Sequence, residues 1–140
     1  MPEGLGIDLG GVVIAEIWGM SWVPLSLPTF RRVQPIATAK ESIARLVERF
    51  GKERIHIVSQ CRGFHRDRAL EWLEHHGFVP ELFTIERIHF CDRWQEKVAI
   101  CAELGITHFV DNKPQVLRSL DGVPNKHLFR SWPEALRALA

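Results

Sequence analysis

Short apolar runs, several ending on a polar side chain and separated by segments of helical period, constrain this chain more than any other feature. Leu5–Ile14 is broken only by Asp8 and the pair Gly10-Gly11. It reads as a buried strand that ends near Asp8 and opens into a glycine loop. Ile55–Ser59 is a second run, bounded by Gln60, Arg62 and Gly63; Leu82–Ile85 is a third; Thr107–Val110, ending on Asp111, is a fourth; His127–Phe129 is a fifth. Between them the period changes. From Thr38, Ile43, Leu46, Val47 and Phe50 recur at helical spacing, with Gly51 as a stop. Ala69, Leu70, Trp72 and Leu73 mark a second helix that ends at Gly77. A third is predicted over 94–104, with Val98, Ala99 and Cys101 inward and Gly105 as its stop. Leu117 and Leu120 suggest a short helix, and Pro133 begins a last one through Leu139. Strands alternating with helices predict an α/β fold of three layers, a central parallel sheet covered on both faces.

At 140 residues the chain has the length of one domain, expected over 1–140. Its 46% hydrophobic and 25% charged residues are an ordinary globular balance. The net charge of +1 leaves no overall field toward nucleic acid or an acidic membrane. Glu16, Arg31 and Arg32 interrupt the N-terminal apolar region, so no run reaches the ~20 residues of a membrane span. That region also lacks the basic start and small-residue cleavage site of a signal peptide. Cys61, Cys91 and Cys101 form no CxxC pair, which fits a reducing compartment and a cytoplasmic location.

Ligands of open parallel sheets bind beyond the carboxyl ends of the strands. Asp8, Ser59 and Asp111-Asn112 sit there in this reading. Asp8 could attack phosphorus to give an aspartyl-phosphate, hold a hard cation such as Mg²⁺, or merely cap a turn. Asp111 offers a second carboxylate, and two acidic strand ends repel unless a cation lies between them. Asp111 could equally cap the helix that begins at Pro114. Asn112 could ligate the metal or orient a ligand. The Ser59 hydroxyl and the N–H after it could bind a phosphate oxygen, or serve a turn. Lys97, early in the third helix, could neutralise a phosphoryl group and Asp8, or be a solvated surface lysine.

Other groups carry weaker signals. Arg62 and His65 follow the second strand, where they could reach a phosphate or replace an acid, or form a helix-start charge cluster with Arg66 and Asp67. His89-Phe90-Cys91-Asp92 has metal-capable residues without a second matching pair, so no zinc site is expected. His75-His76 is expected at the surface of a helix end. In residues 15–37, Trp18, Gly19, Trp22, Pro24, Pro28 and Pro35 prevent a continuous helix. Trp18, Trp22, Phe30, Arg31 and Arg32 there could form a small lid or a partner surface, or simply pack locally.

Taken together, these residues resemble the haloacid dehalogenase-like superfamily over nearly the whole chain. Gly6-Ile7-Asp8-Leu9-Gly10-Gly11-Val12-Val13 is similar to its first motif, Ile55–Ser59 to its second, Lys97 to its third and His108-Phe109-Val110-Asp111-Asn112 to its fourth. The resemblance implies a Rossmannoid fold, capless or minimally capped here, and Mg²⁺ as cofactor. It implies catalytic roles for Asp8, the nucleophile, and Lys97. Ser59 and Lys97 would hold phosphate, and Asp8, Asp111 and Asn112 would hold the metal. Two positions depart from the pattern. Gly10 stands where phosphatases of the superfamily carry a second Asp that protonates the leaving group and then activates water. Asn112 stands where many similar sequences carry Asp. The first expectation is therefore a Mg²⁺-dependent hydrolase that binds, or slowly hydrolyses, a phosphomonoester of a small molecule or macromolecule. The alternative is a catalytically silent phosphatase-like module that binds a ligand or a protein partner.

Overall fold

The computed structural model describes residues 2–140. Its centre is a five-stranded, wholly parallel sheet made of β1 (Leu5–Ile7), β2 (Ile55–Gln60), β3 (Ile88–Cys91), β4 (His108–Asp111) and β5 (Asn125–Leu128), in the spatial order β3-β2-β1-β4-β5. The helices are α1 (Val23–Ser26), α2 (Ala39–Phe50), α3 (Phe64–His75), α4 (Lys97–Leu104), α5 (Pro114–Ser119) and α6 (Trp132–Leu139).

Alternation along the strands divides the core into two. Leu5, Ile7, Ile55, Ile57 and Val110 face Ile43 and Leu46 of α2, Trp72 and Leu73 of α3 and Trp132 of α6. Val58 and Phe109 face Cys101 of α4 and Val116 and Leu117 of α5. Both faces are thus covered, as a parallel sheet requires. Gly6, the middle residue of β1, faces the second core: the Phe109 ring lies so close that a Cβ there would stand 2.6 Å from it. Helix ends follow local chemistry. Gly51 and Gly105 close α2 and α4 at φ of 96° and 69°, a region glycine reaches without steric cost. Ser131 caps α6 by accepting the Glu134 N–H.

Several expectations are corrected. Leu82–Ile85 forms no strand; Phe83 is a buried plug in the first core, followed by a 3₁₀ turn at Ile85–Arg87. The third strand lies at Ile88–Cys91, pairing with Ile57–Gln60. It is an edge strand whose polar His89 hides the alternation. The fifth strand begins two residues earlier than expected, at Asn125. The segment 94–104 opens as a 3₁₀ turn, Trp94–Glu96, before α4 proper. Val98 and Ala99 are exposed, whereas Lys97 and Cys101 are buried. The helix is rotated because Lys97, not its apolar neighbours, faces the sheet.

Candidate functional site

β1 is central, and the chain crosses to β2 on one side and β4 on the other, so a crevice opens at its carboxyl end. Ile7 pairs with both Ile57 and Val110, so Asp8 emerges between the ends of β2 and β4. Its N–H donates to the Val110 carbonyl at 3.0 Å. The following loop folds tightly, with the N–H groups of Val13 and Ile14 both donating to the Leu9 carbonyl. The buried Trp132 indole N–H fixes it from below by donating to the Val12 carbonyl at 2.9 Å.

Lys97 joins the strand ends. Its ammonium donates to Asp8 Oδ1 at 3.0 Å and to Asp111 Oδ2 at 2.8 Å. All three side chains are buried, Lys97 at 2% exposure. The solvated-lysine reading is therefore overturned, and the cation expected between the carboxylates includes the chain's own ammonium. Lys97 Nζ also lies 5.6 Å from the Phe109 ring centre, within cation–π range. The other oxygen of Asp111 accepts the Lys113 N–H at 3.0 Å, an Asx turn ahead of α5. The N-cap of α5 is Lys113, without a side-chain cap, so Asp111 is not the helix cap. One ammonium against two carboxylates leaves the group one negative charge in excess. Burial disfavours charge on Lys97, but the two carboxylates prevail and push its pKa up. Burial, with the Asp8 charge beside it, pushes Asp111 up to about 6 against the pull of Lys97. The triad is thus receptive to further positive charge.

Above it lies a pocket of about 450 Å³. Asp8, Ser59 and Lys97 line it, together with Arg62 and His65 of the weaker group. Ser59 is buried, and its hydroxyl reaches only the Gln60 carbonyl, at 3.5 Å, leaving it available to a ligand. Asn112 is not part of the lining; its amide N–H reaches toward Glu16 at 3.4 Å, while its Oδ1 is buried without a hydrogen-bond partner among the described residues. Lys113, Trp94, Cys61, Ser21, Trp22 and Leu25 line the pocket without having been singled out as site residues, apart from Trp22 as a lid candidate. A cation next to a strand-end acid was a usable signal for Lys113. Burial pushes the Cys61 thiol up to about 12, which removes it as a nucleophile.

The 15–37 segment supplies the pocket's roof at Ser21, Trp22 and Leu25, and α3 holds it in place. Arg68 donates to the carbonyls of Leu25 and Leu27, Trp72 to that of Val33 and His76 to that of Arg31. Arg31 pairs with Glu71. Ser26 Oγ donates to the Trp22 carbonyl and lies 2.9 Å from His65 Nε2. The lid candidates therefore separate: Phe30 is core, Arg31 is an anchor, Trp22 roofs the pocket and Trp18 stands 84% exposed at a turn. Gly10 is outside the left-handed region, and the reason for glycine is contact: a Cβ there would stand 2.4 Å from the Cβ of Ser21.

The chain superimposes on a crystal structure of a haloacid dehalogenase-like family hydrolase from Xanthomonas campestris with a TM-score of 0.59, over 99% of this chain and 96% of that one. This chain has the haloacid dehalogenase-like fold. The sequences are 14% identical, so the likeness speaks for the fold, and the site is argued from this chain's own residues. No family model and no curated protein matches the sequence. The parallel sheet brings Asp8, Ser59 and Asp111 to one end of the molecule, since all three lie at carboxyl ends of adjacent strands.

The donors fit a hard cation. Asp8 and Asp111 offer carboxylate oxygens, and the Asn112 Oδ1 is a buried oxygen without a partner. No cluster of three or more His, Cys, Asp or Glu suited to a metal occurs among the described residues. Mg²⁺ is commonly held by one or two carboxylates, with waters and substrate phosphate completing its shell. No helix among the described residues is long and apolar enough to cross a membrane.

Proposed function

We propose that this protein is a hydrolase acting on phosphomonoesters through Asp8, with Mg²⁺ as its cofactor. The observation that carries the reading is the Lys97 ammonium joined to both Asp8 and Asp111 at the floor of the pocket that Ser59 lines. The buried lysine offsets one of the two carboxylate charges where a phosphoryl group would meet Asp8. Asp8 attacks phosphorus with its free oxygen, and the bond to the leaving oxygen breaks with its electron pair. The Ser59 hydroxyl and the Lys97 ammonium hold phosphoryl oxygens, and Lys113 and Arg62 extend the positive surface at the pocket wall. Asp8, Asp111 and Asn112 would hold Mg²⁺, which would supply further neutralisation of phosphoryl charge. Water then adds to the phosphorus of the aspartyl-phosphate and restores the Asp8 carboxylate.

A second reading is favoured by the contact between Gly10 and Ser21, which leaves Asp8 the sole carboxylate lining the pocket. In that reading the protein binds a phosphate-containing ligand, or a protein partner, without turning it over. Hydrolysis of p-nitrophenyl phosphate with Mg²⁺ separates the two. The hydrolase reading expects turnover that disappears in Asp8→Asn; binding of inorganic phosphate without turnover by the folded protein supports the silent module.

A further inference from the structure

The roof of the pocket bears on which esters the site can cleave. Of its lining residues, Asp8 alone carries a carboxyl group, and Lys97 occupies one of its oxygens. Burial pushes the Cys61 thiol up to about 12 and so holds it protonated. His65 Nε2 lies 2.9 Å from Ser26 Oγ, so that ring nitrogen is engaged with the segment that roofs the pocket. Position 10 cannot supply an acid either, since Ser21 fills the volume into which a side chain there would grow, at 2.4 Å from the Cβ position. What stands in its place is a neutral hydroxyl, a donor too weakly acidic to give up its proton. Beside it Trp22, 59% exposed, and Trp94 place two indoles at the pocket wall.

We infer that the site takes phosphate esters whose leaving group departs as a stable anion, phenolic esters in particular, and that Ser21 and Trp22 set this preference; the inference rests on the phosphoryl-transfer reading above. Asp8 forms the new bond to phosphorus. The P–O bond to the aryl oxygen breaks and its electron pair stays on that oxygen, so a phenolate leaves unprotonated. Ser21 donates a hydrogen bond to it, and Trp22 packs on the ring. Water then attacks the aspartyl-phosphate, both of its protons end on the released phosphate, and the Asp8 carboxylate is restored. The phenolate takes a proton from that phosphate or from solvent. An acyl phosphate shares the same leaving chemistry without the ring.

The test compares p-nitrophenyl, phenyl, ethyl and acetyl phosphate as substrates, with Mg²⁺, for wild type, Trp22→Ala, Gly10→Asp and the double variant Gly10→Asp with Ser21→Gly. Wild type should cleave p-nitrophenyl faster than phenyl, and phenyl faster than ethyl phosphate. Trp22→Ala should raise KM for the aryl esters several-fold and raise that for acetyl phosphate by less. Gly10→Asp alone should melt lower and gain nothing on ethyl phosphate. The double variant, with Ser21 Cβ removed, should gain at least roughly tenfold on it, part of the ~10²–10⁴-fold worth of a positioned acid. The wild-type series decides even if a variant fails to fold. Equal kcat/KM for aryl and alkyl esters would overturn the inference and leave the hydrolase reading standing. A preference for acetyl phosphate with no effect of Trp22→Ala would overturn the phenolic assignment. Hydrolysis of none of the four by folded protein would remove the hydrolase reading, and this inference with it.

Discussion

The ring of Phe109 lies where a side chain on Gly6 would stand, with Cδ2 2.6 Å and Cε2 2.7 Å from the Cβ position. The same ring lies beneath the Lys97 ammonium. Gly6→Ala should therefore push Phe109 against Lys97 and loosen the triad. Overpacking of this kind costs ~1–3 kcal/mol. Chemical denaturation should show that loss, and Phe109→Leu in the same chain should recover part of it. Unchanged stability in Gly6→Ala would mean that the ring moves freely and does not position Lys97.

Lys97→Met tests the triad itself. Removing one partner of a buried ion pair costs ~3–5 kcal/mol, because the remaining charge is stranded. Here two carboxylates would be left facing each other, at 6% and 0% exposure. The variant should melt lower than wild type at neutral pH, and Mg²⁺ should raise its melting temperature more than it raises that of wild type. Equal Mg²⁺ responses in the two proteins would argue against a cation site at Asp8 and Asp111.

Arg68 secures the pocket's roof through two carbonyls of the 15–37 segment. Arg68→Ala should speed limited proteolysis within that segment, while far-ultraviolet circular dichroism stays close to wild type. Protease resistance equal to wild type would show that the contacts from Trp72 and His76 suffice without it.

The stability of the fold should respond to acid through His56. Its Nδ1 lies 3.1 Å from His89 Nε2, a contact in which one ring donates and the other accepts, and which two protonated rings cannot make. Burial, with the His89 and Arg87 charges, lowers the His56 pKa from 6.5 to about 4. A histidine whose pKa is lowered by folding adds stability that is complete above its unfolded pKa and is lost as pH falls toward the folded one. Asp111, raised to about 6, acts in the opposite sense over part of the same range. The comparison that isolates His56 is the melting temperature of wild type against His56→Gln between pH 7 and about 4.5. The wild-type curve should fall more steeply; parallel curves would contradict the assignment.

The fold was legible because its strongest signals are local. Leu5-Gly6-Ile7, Ile55–Ser59 and His108–Asp111 are short buried runs ending on polar residues, and Gly51 and Gly105 stop their helices as read. Leu82–Ile85 misled because a short apolar run can plug a core as well as form a strand, which Phe83 does. The face of α4 was misread because hydrophobicity normally marks the buried side, and here a lysine takes that place for the sake of two distant carboxylates. Asp8, Ser59 and Asp111 could be found from strand ends alone. Ser21 could not, since its place above Gly10 follows from how α3 docks the 15–37 segment, and no local pattern records that docking.

The most direct test of the account is to look for phosphate on Asp8. Turnover of p-nitrophenyl phosphate with Mg²⁺ would be quenched in acid, and the digested protein read by mass spectrometry. With no carboxylate other than Asp8 lining the pocket to activate water, the second step is expected to be slow and the intermediate to accumulate. The account predicts a phosphoryl adduct on the peptide carrying Asp8, absent from Asp8→Asn. Turnover that persists in Asp8→Asn, or an adduct on any other residue, would contradict it.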